Sequence, residues 1–214
     1  IAGVARSTFT NCGQVCLCTE KVYVHKNIAE KFIAGLKQQA QDIKIGYPTD
    51  NDVFMGPLVS KVHQQKVLSY YEIAKQEGAE VITGGGVPEF GDERDNGCYI
   101  EPTIFTGLDD NARTNQEEIF GPVVMIQPFD TEEEAIRLAN STEYGLAATI
   151  WTENLSRAHR MAETVQSGII WINCWLLRDL RTPFGGMKNS GVGREGGWEA
   201  LRFFTEPKNV CIKF

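Results

Sequence analysis

The chain has 214 residues and carries 21 Lys+Arg against 28 Asp+Glu, a formal net charge of -7 at pH 7. At 42% hydrophobic and 23% charged it has the composition of a globular protein, long enough for one large α/β domain or two small ones. The acidic balance excludes the basic face of a nucleic-acid binder, and no apolar run approaches the ~18 residues of a membrane span.

Taken in chain order, Ile1, Val4, Ala5 and Phe9 fall at helical spacing, with Gly13 as a stop. Val22 to Val24 predicts a short strand. Asn27 is placed to cap a helix whose apolar face is Ile28, Phe32, Ile33, Leu36, Ala40 and Ile43. Gly46-Tyr47-Pro48 closes that segment. Ser60 opens a second helix with Val62, Val67, Tyr70, Tyr71 and Ala74 inward and Gly78 behind it. Val81-Ile82 predicts a strand, and residues 87 to 98 a polar surface excursion. Val123 to Phe129 reads as a strand, followed by a helix with a capping box from Thr131 to Glu134. A strand at Leu146 to Trp151, a helix over 154 to 165 and a strand at Gly168 to Asn173 complete the alternation. Asn209 to Phe214 reads as one more strand, which needs a sheet to join in its own chain or in a partner. Alternating strands and helices predict an α/β fold with a mostly parallel sheet covered by helices on both faces.

Six cysteines without a regular disulfide framework, and no visible secretion signal, read as reduced thiols of a cytoplasmic protein. Three of them, Cys12, Cys16 and Cys18, lie in the run FTNCGQVCLCTEK. Their spacing is not the Cys-x2-Cys knuckle of structural zinc, and no metal is expected. Cys18 borders a strand and suits a core. Cys16 follows Gly13-Gln14, where a sharp turn would expose it, and suits a nucleophile. On these residues alone the core and nucleophile readings both stand.

Three motifs carry a resemblance. Phe9-x3-Gly13-Gln14-x-Cys16, Glu117-Glu118-Ile119-Phe120-Gly121-Pro122-Val123, and Pro183-Phe184-Gly185-Gly186-Met187-Lys188-x-Ser190-Gly191-x-Gly193-Arg194-Glu195 occur in this order. Together they resemble the aldehyde dehydrogenase superfamily over essentially the whole chain. The resemblance implies a catalytic domain over 1–185 and a C-terminal arm over 186–214 that joins subunits of a homo-oligomer by strand addition. It also implies that a dinucleotide-binding domain and a water-activating glutamate belong to sequence absent here. With Ile1 in place of a starting Met, the chain is expected to be a piece of a longer protein and inactive alone.

The same resemblance assigns roles. Cys16 would attack the aldehyde, with NAD or NADP as hydride acceptor. Glu118 would hold the nicotinamide ribose, and Phe120 would pack near the ring. His63 and Lys66 fall where the family contacts the adenosine ribose, although Gln is common at the position of His63. Glu195 would relay protons; an ion pair with Arg194 is its plainer alternative. The run Asn173-Cys174-Trp175-Leu176-Leu177-Arg178-Asp179-Leu180-Arg181 resembles that of the muconic semialdehyde dehydrogenases. It implies a substrate carboxylate held by Arg178, with Arg181 second, between flat walls from Trp175 and Phe184. A surface charge cluster of Arg178, Asp179 and Arg181 is the alternative. For the whole chain, a non-enzymatic assembly module and a cysteine hydrolase or acyltransferase are the competing readings.

Overall fold

A computed structural model describes all 214 residues. The chain divides into two compact units, Ile1–Thr142 and Glu143–Phe214. In the first, helix α1 (Ala2–Phe9) leads through a 3-10 turn (Thr10–Gly13) to strand β1 (Lys21–His25) and helix α2 (Lys26–Gln41). Then follow α3 (Lys61–Gln76), β2 (Glu80–Thr83), β3 (Thr103–Thr106), the short α4 (Arg113–Gln116), β4 (Val123–Phe129) and α5 (Glu132–Ala139). The strands form one sheet in the order β1-β4-β3-β2. Both β1 and β3 run parallel to β4, and only β2 is antiparallel to its neighbour.

Four successive residues of β4, Val123 to Ile126, are all buried. Because side chains alternate across a strand, this requires cover on both faces of the sheet. Leu36, Val67, Tyr71, Ile104, Phe105 and Ile119 complete the centre of the core.

Local rules explain the element ends. Ser60 caps α3 by accepting from the His63 N–H, and Thr131 caps α5 by accepting from the Glu134 N–H. The returning carboxylate of Glu134 accepts from the N–H of Asp130, one residue before the cap. Three expectations need correction. The cap of α2 is His25, whose Nδ1 accepts from the Asn27 N–H, because β1 runs directly into the helix. Ile28 and Val62 sit in the first turns of their helices and point to solvent, 56% and 78% exposed. Strand β3 was not anticipated; Thr103 to Thr106 is too short an apolar run to declare itself.

The second unit contains β5 (Tyr144–Gly145), β6 (Ala147–Ile150), α6 (Leu155–Thr164), β7 (Ile169–Ile172), β8 (Met187–Lys188) and α7 (Gly197–Phe203). β6 and β7 pair in parallel, with Thr149 opposite Trp171, and β5 pairs antiparallel with β8. Asn173 ends β7 in a left-handed conformation (φ 55°). Its side-chain amide donates to the carbonyl of Thr152 and accepts from the Thr152 N–H, both at 2.8 Å. Asn209 to Phe214 joins no sheet in this chain and is exposed throughout, so the strand expected there has no ladder partner within the chain. A single strand has no ladder partner of its own. No helix is long and apolar enough to cross a membrane.

Candidate active site

The loop after α1 turns back through three successive left-handed residues, Asn11 (φ 51°), Cys12 (φ 57°) and Gly13 (φ 69°). Such conformations cost about 1 kcal/mol or more in residues other than glycine, so the surroundings must hold them. Cys12 is buried and its Sγ donates to the carbonyl of Gly56 at 3.0 Å. The Gln14 amide accepts from the Val59 N–H at 3.0 Å, and the Asn11 amide donates to the Gln14 carbonyl at 3.1 Å. The loop is thereby fastened to residues 56–59. Val15 to Cys18 then form a tight turn, with the Cys18 N–H donating to the Val15 carbonyl at 2.7 Å. Cys16 stands at its second position and is exposed.

The three thiols differ in surroundings. Burial pushes the Cys12 thiol up to about 11, against the opposing hydrogen bond to Gly56. Burial likewise pushes Cys18 up to about 11, with the nearby Glu20 carboxylate adding to the rise. Both thiols are thereby held in the protonated, weakly nucleophilic form at neutral pH.

Gly13 touches the second motif. A Cβ on Gly13 would collide with the Gly121 carbonyl, so only glycine lets these two stretches of backbone meet. One face of α3 then grips the segment from Glu117 to Gly121 at helical spacing. His63 Nε2 donates to the Phe120 carbonyl at 2.7 Å, and Lys66 Nζ donates to the Glu118 carbonyl at 3.1 Å. Val67 packs beneath Gly121, where an added Cβ would come within 2.8 Å of it. The Tyr70 hydroxyl donates to Glu117 at 2.6 Å. Hydrogen bonds from Arg113 and Tyr70 hold the Glu117 carboxyl down at about 2. Ile119 is fully buried, while Glu118 is exposed and Phe120 is half-buried. His63 Nε2 and Lys66 Nζ therefore each bond a loop carbonyl, a use that the sequence did not suggest.

Glu20 was also overlooked. Its carboxylate accepts from the N–H of Phe120 at 2.8 Å and of Ile119 at 3.3 Å. Phe120 there has φ 64°. Burial pushes the Glu20 carboxyl up, opposed by Lys21 and by these two N–H groups.

In the second unit, Arg178, Phe184 and Glu195 line one cavity of about 250 Å³, together with Trp171 and Leu177. The Arg178 guanidinium lies over the Phe184 ring, 4.3 Å from its centre. Arg181 instead forms an exposed two-point pair with Asp179, at 2.9 and 2.5 Å. Phe184 and Glu195 exchange both backbone hydrogen bonds, at 2.7 and 2.8 Å, which fixes the two residues side by side. Arg194 does not pair with Glu195; its guanidinium donates to the carbonyls of Gly186 and Gly193. Trp175 is buried and lies outside the lining of the cavity. The indole lining this cavity is that of Trp171, whose N–H also donates to the Leu177 carbonyl at 2.9 Å.

Comparison with known proteins gives this scaffold its relatives. The chain is 58% identical over 213 residues to a 2-hydroxymuconic semialdehyde dehydrogenase of Pseudomonas sp. (strain CF600), covering 100% of this chain and 44% of that protein. It is 56% identical over 211 residues to a 2-aminomuconic 6-semialdehyde dehydrogenase of Pseudomonas sp, covering 99% and 43%. The chain thus spans less than half the length of these relatives. Among solved structures, a betaine aldehyde dehydrogenase from Staphylococcus aureus in complex with NAD+ superimposes with a TM-score of 0.92 at 39% identity, over 95% of this chain and 40% of that one. The model of the aldehyde dehydrogenase family matches residues 1–210, a span that takes in the cysteine turn, the Glu117–Gly121 segment and the glycine-rich stretch after Pro183; the chain belongs to the aldehyde dehydrogenase family.

Proposed function

We propose that the whole protein oxidises a carboxylate-bearing semialdehyde to the acid with NAD or NADP, through a covalent intermediate on Cys16. The observation that carries this is an exposed Cys16 on a loop packed against the Glu117–Gly121 segment through Gly13, between two thiols that burial keeps protonated. The Cys16 thiolate adds to the aldehyde carbon, and the carbonyl oxygen takes the negative charge of a thiohemiacetal. The Cys16 backbone N–H is a donor this chain can offer to that oxygen. The nicotinamide, when bound, accepts the hydride that leaves this carbon. Water then cleaves the Cys16 thioester, releasing the acid and restoring the thiol. Glu195 would pass the proton, and the base that activates the water would come from outside this chain.

The residues present fit a dinucleotide. The exposed Glu118 carboxylate can accept two ribose hydroxyls, and the half-buried Phe120 ring beside it offers an apolar face. His63 and Lys66 act on the same loop from beneath. Arg178 would hold the substrate carboxylate. It has no carboxylate partner, whereas Arg181 is occupied by Asp179. An unpaired cation at the cavity would repel the positively charged aldehyde of a betaine-type enzyme. Phe184 and Trp171 would flank a conjugated chain.

Residues 186–214 would act as an oligomerisation arm. Val210, Ile212 and Phe214 repeat at period two and are all exposed, as suits a strand that completes its ladder on a partner. The 214-residue chain alone is expected to be inactive.

Alanine at Cys16 in the full-length protein should abolish aldehyde oxidation. Alanine at Cys12 or Cys18 should leave most of it in the protein that folds. Iodoacetamide at pH 7.5, mapped by peptide mass spectrometry, should modify Cys16 in step with activity loss. An equally inactive, folded Cys18→Ala protein would sink the assignment.

A further inference from the structure

We infer that Glu20 is a positioning residue for the cofactor-facing loop: its carboxylate bridges the N–H groups of Ile119 and Phe120 and sets the directions of the Glu118 and Phe120 side chains. The inference rests on the reading of Glu118 and Phe120 as the cofactor contacts. Glu20 lies about a hundred residues from that loop in sequence, and its two oxygens each take a different N–H, at 2.8 and 3.3 Å. The loop needs such a partner. Phe120 adopts φ 64°, a conformation natural to glycine but strained for an aromatic residue. The carbonyls of Glu118 and Phe120 are taken by Lys66 and His63, so α3 fixes one set of backbone polar groups and Glu20 the other. With both sets held, the peptide planes around Phe120 cannot rotate. Those planes decide where the exposed carboxylate of Glu118 and the ring of Phe120 point.

The residue type matters. Two adjacent N–H donors facing one side chain call for an acceptor with two oxygens. A glutamine keeps the shape but turns one oxygen into an NH2 donor, which faces one of the loop N–H groups head-on. Glu20 also follows the Val15–Cys18 turn by two residues, so the group that holds the ribose loop is carried by the segment that holds the nucleophile.

The test uses full-length protein and three readouts. Calorimetric titration with NAD, and with NADP in parallel, gives Kd for Glu20→Gln, Glu118→Gln and wild type. Amide exchange followed by mass spectrometry reports on residues 117–122, with β4 as the internal reference. Glu20→Gln should raise Kd at least about ten-fold, equivalent to losing one charge-assisted hydrogen bond. It should also speed exchange over 117–122 while β4 stays protected. Glu118→Gln should raise Kd without that change in exchange. If Glu118→Gln weakens binding and Glu20→Gln alters neither Kd nor exchange, the positioning role is wrong and the proposed function stands. If Glu118→Gln leaves Kd unchanged, the cofactor reading itself fails and takes the inference with it. Should Glu20→Gln expose β4, the wild type decides, read by NMR at single amides. Slow exchange of Ile119 and Phe120 supports the bridge, and exchange at the rate of an open loop overturns it.

Discussion

Among the side chains, the informative contrasts are between neighbours of the same type. Cys12 and Cys18 flank Cys16 at four residues before and two after, yet of the three only Cys16 is exposed. The sequence named Cys16 because its motif is local and contiguous. It could not name Glu20, whose partners lie across the fold and which reads in the sequence as one charge beside Lys21. Arg178 and Arg181 form a second contrast, one stacked on Phe184 and the other paired with Asp179. The sequence put Arg178 ahead of Arg181 for a substrate carboxylate and named Trp175, whereas the indole lining the cavity beside Arg178 is that of Trp171. Trp171 is the one buried residue of β7. Arg178→Ala should reduce kcat/KM for a carboxylate-bearing semialdehyde by roughly ten- to hundred-fold, mostly through KM, and spare a neutral aldehyde of equal length. Steady-state kinetics on both aldehydes checks this. An equal loss on both would mean that Arg178 supports the loop instead.

Helix α3 and the Glu117–Gly121 segment behave as one element pair. Residues 63, 66, 67 and 70 share a helix face by their spacing, and each meets a different residue of the segment. The sequence disclosed the helix, its Ser60 cap and its end at Gly78, because those signals are local. It did not disclose what the face grips. The missed β3 and the misplaced α2 cap have the same origin: short segments take their structure from neighbours they meet only after folding. Gly13→Ala should destabilise the protein by about 3 kcal/mol or more, from strain at φ 69° and the collision with Gly121. A large fall in Tm or in soluble yield would be the readout. The Glu117–Arg113–Tyr70 cluster gives a pH-dependent prediction. The folded pKa of Glu117, about 2, lies below its ordinary 4.5, so the cluster stabilises above pH 4.5 and loses this as pH falls towards 2. The group is partly exposed, so the contribution should be under about 1 kcal/mol. The Tm difference between wild type and Glu117→Gln should therefore be small at pH 7 and shrink below pH 4.5. A difference that grows on acidification would contradict the sign.

For the molecule as a whole, the α/β class and the mainly parallel sheet were legible from alternation and from the run of apolar residues in β4. The terminal segment shows the limit of such reading, since Asn209 to Phe214 has strand-like alternation but pairs with nothing within the chain. If it completes a partner's sheet, removing residues 209–214 from the full-length protein should lower the oligomer mass measured by sedimentation. An unchanged mass would remove the arm from the assembly. The seam between Gly13 and Gly121 bears on recombination. It is made of glycine hydrogens against a backbone carbonyl, so its fit is indifferent to which parent supplied either side. Chimeras between homologous genes with a crossover between residues 77 and 100 would inherit the Cys16 turn from one parent and the Glu117–Gly121 segment from the other. They would keep this seam intact wherever both parents carry glycine at the two positions, and the side chains gripping the loop would then be where parental mismatch is felt.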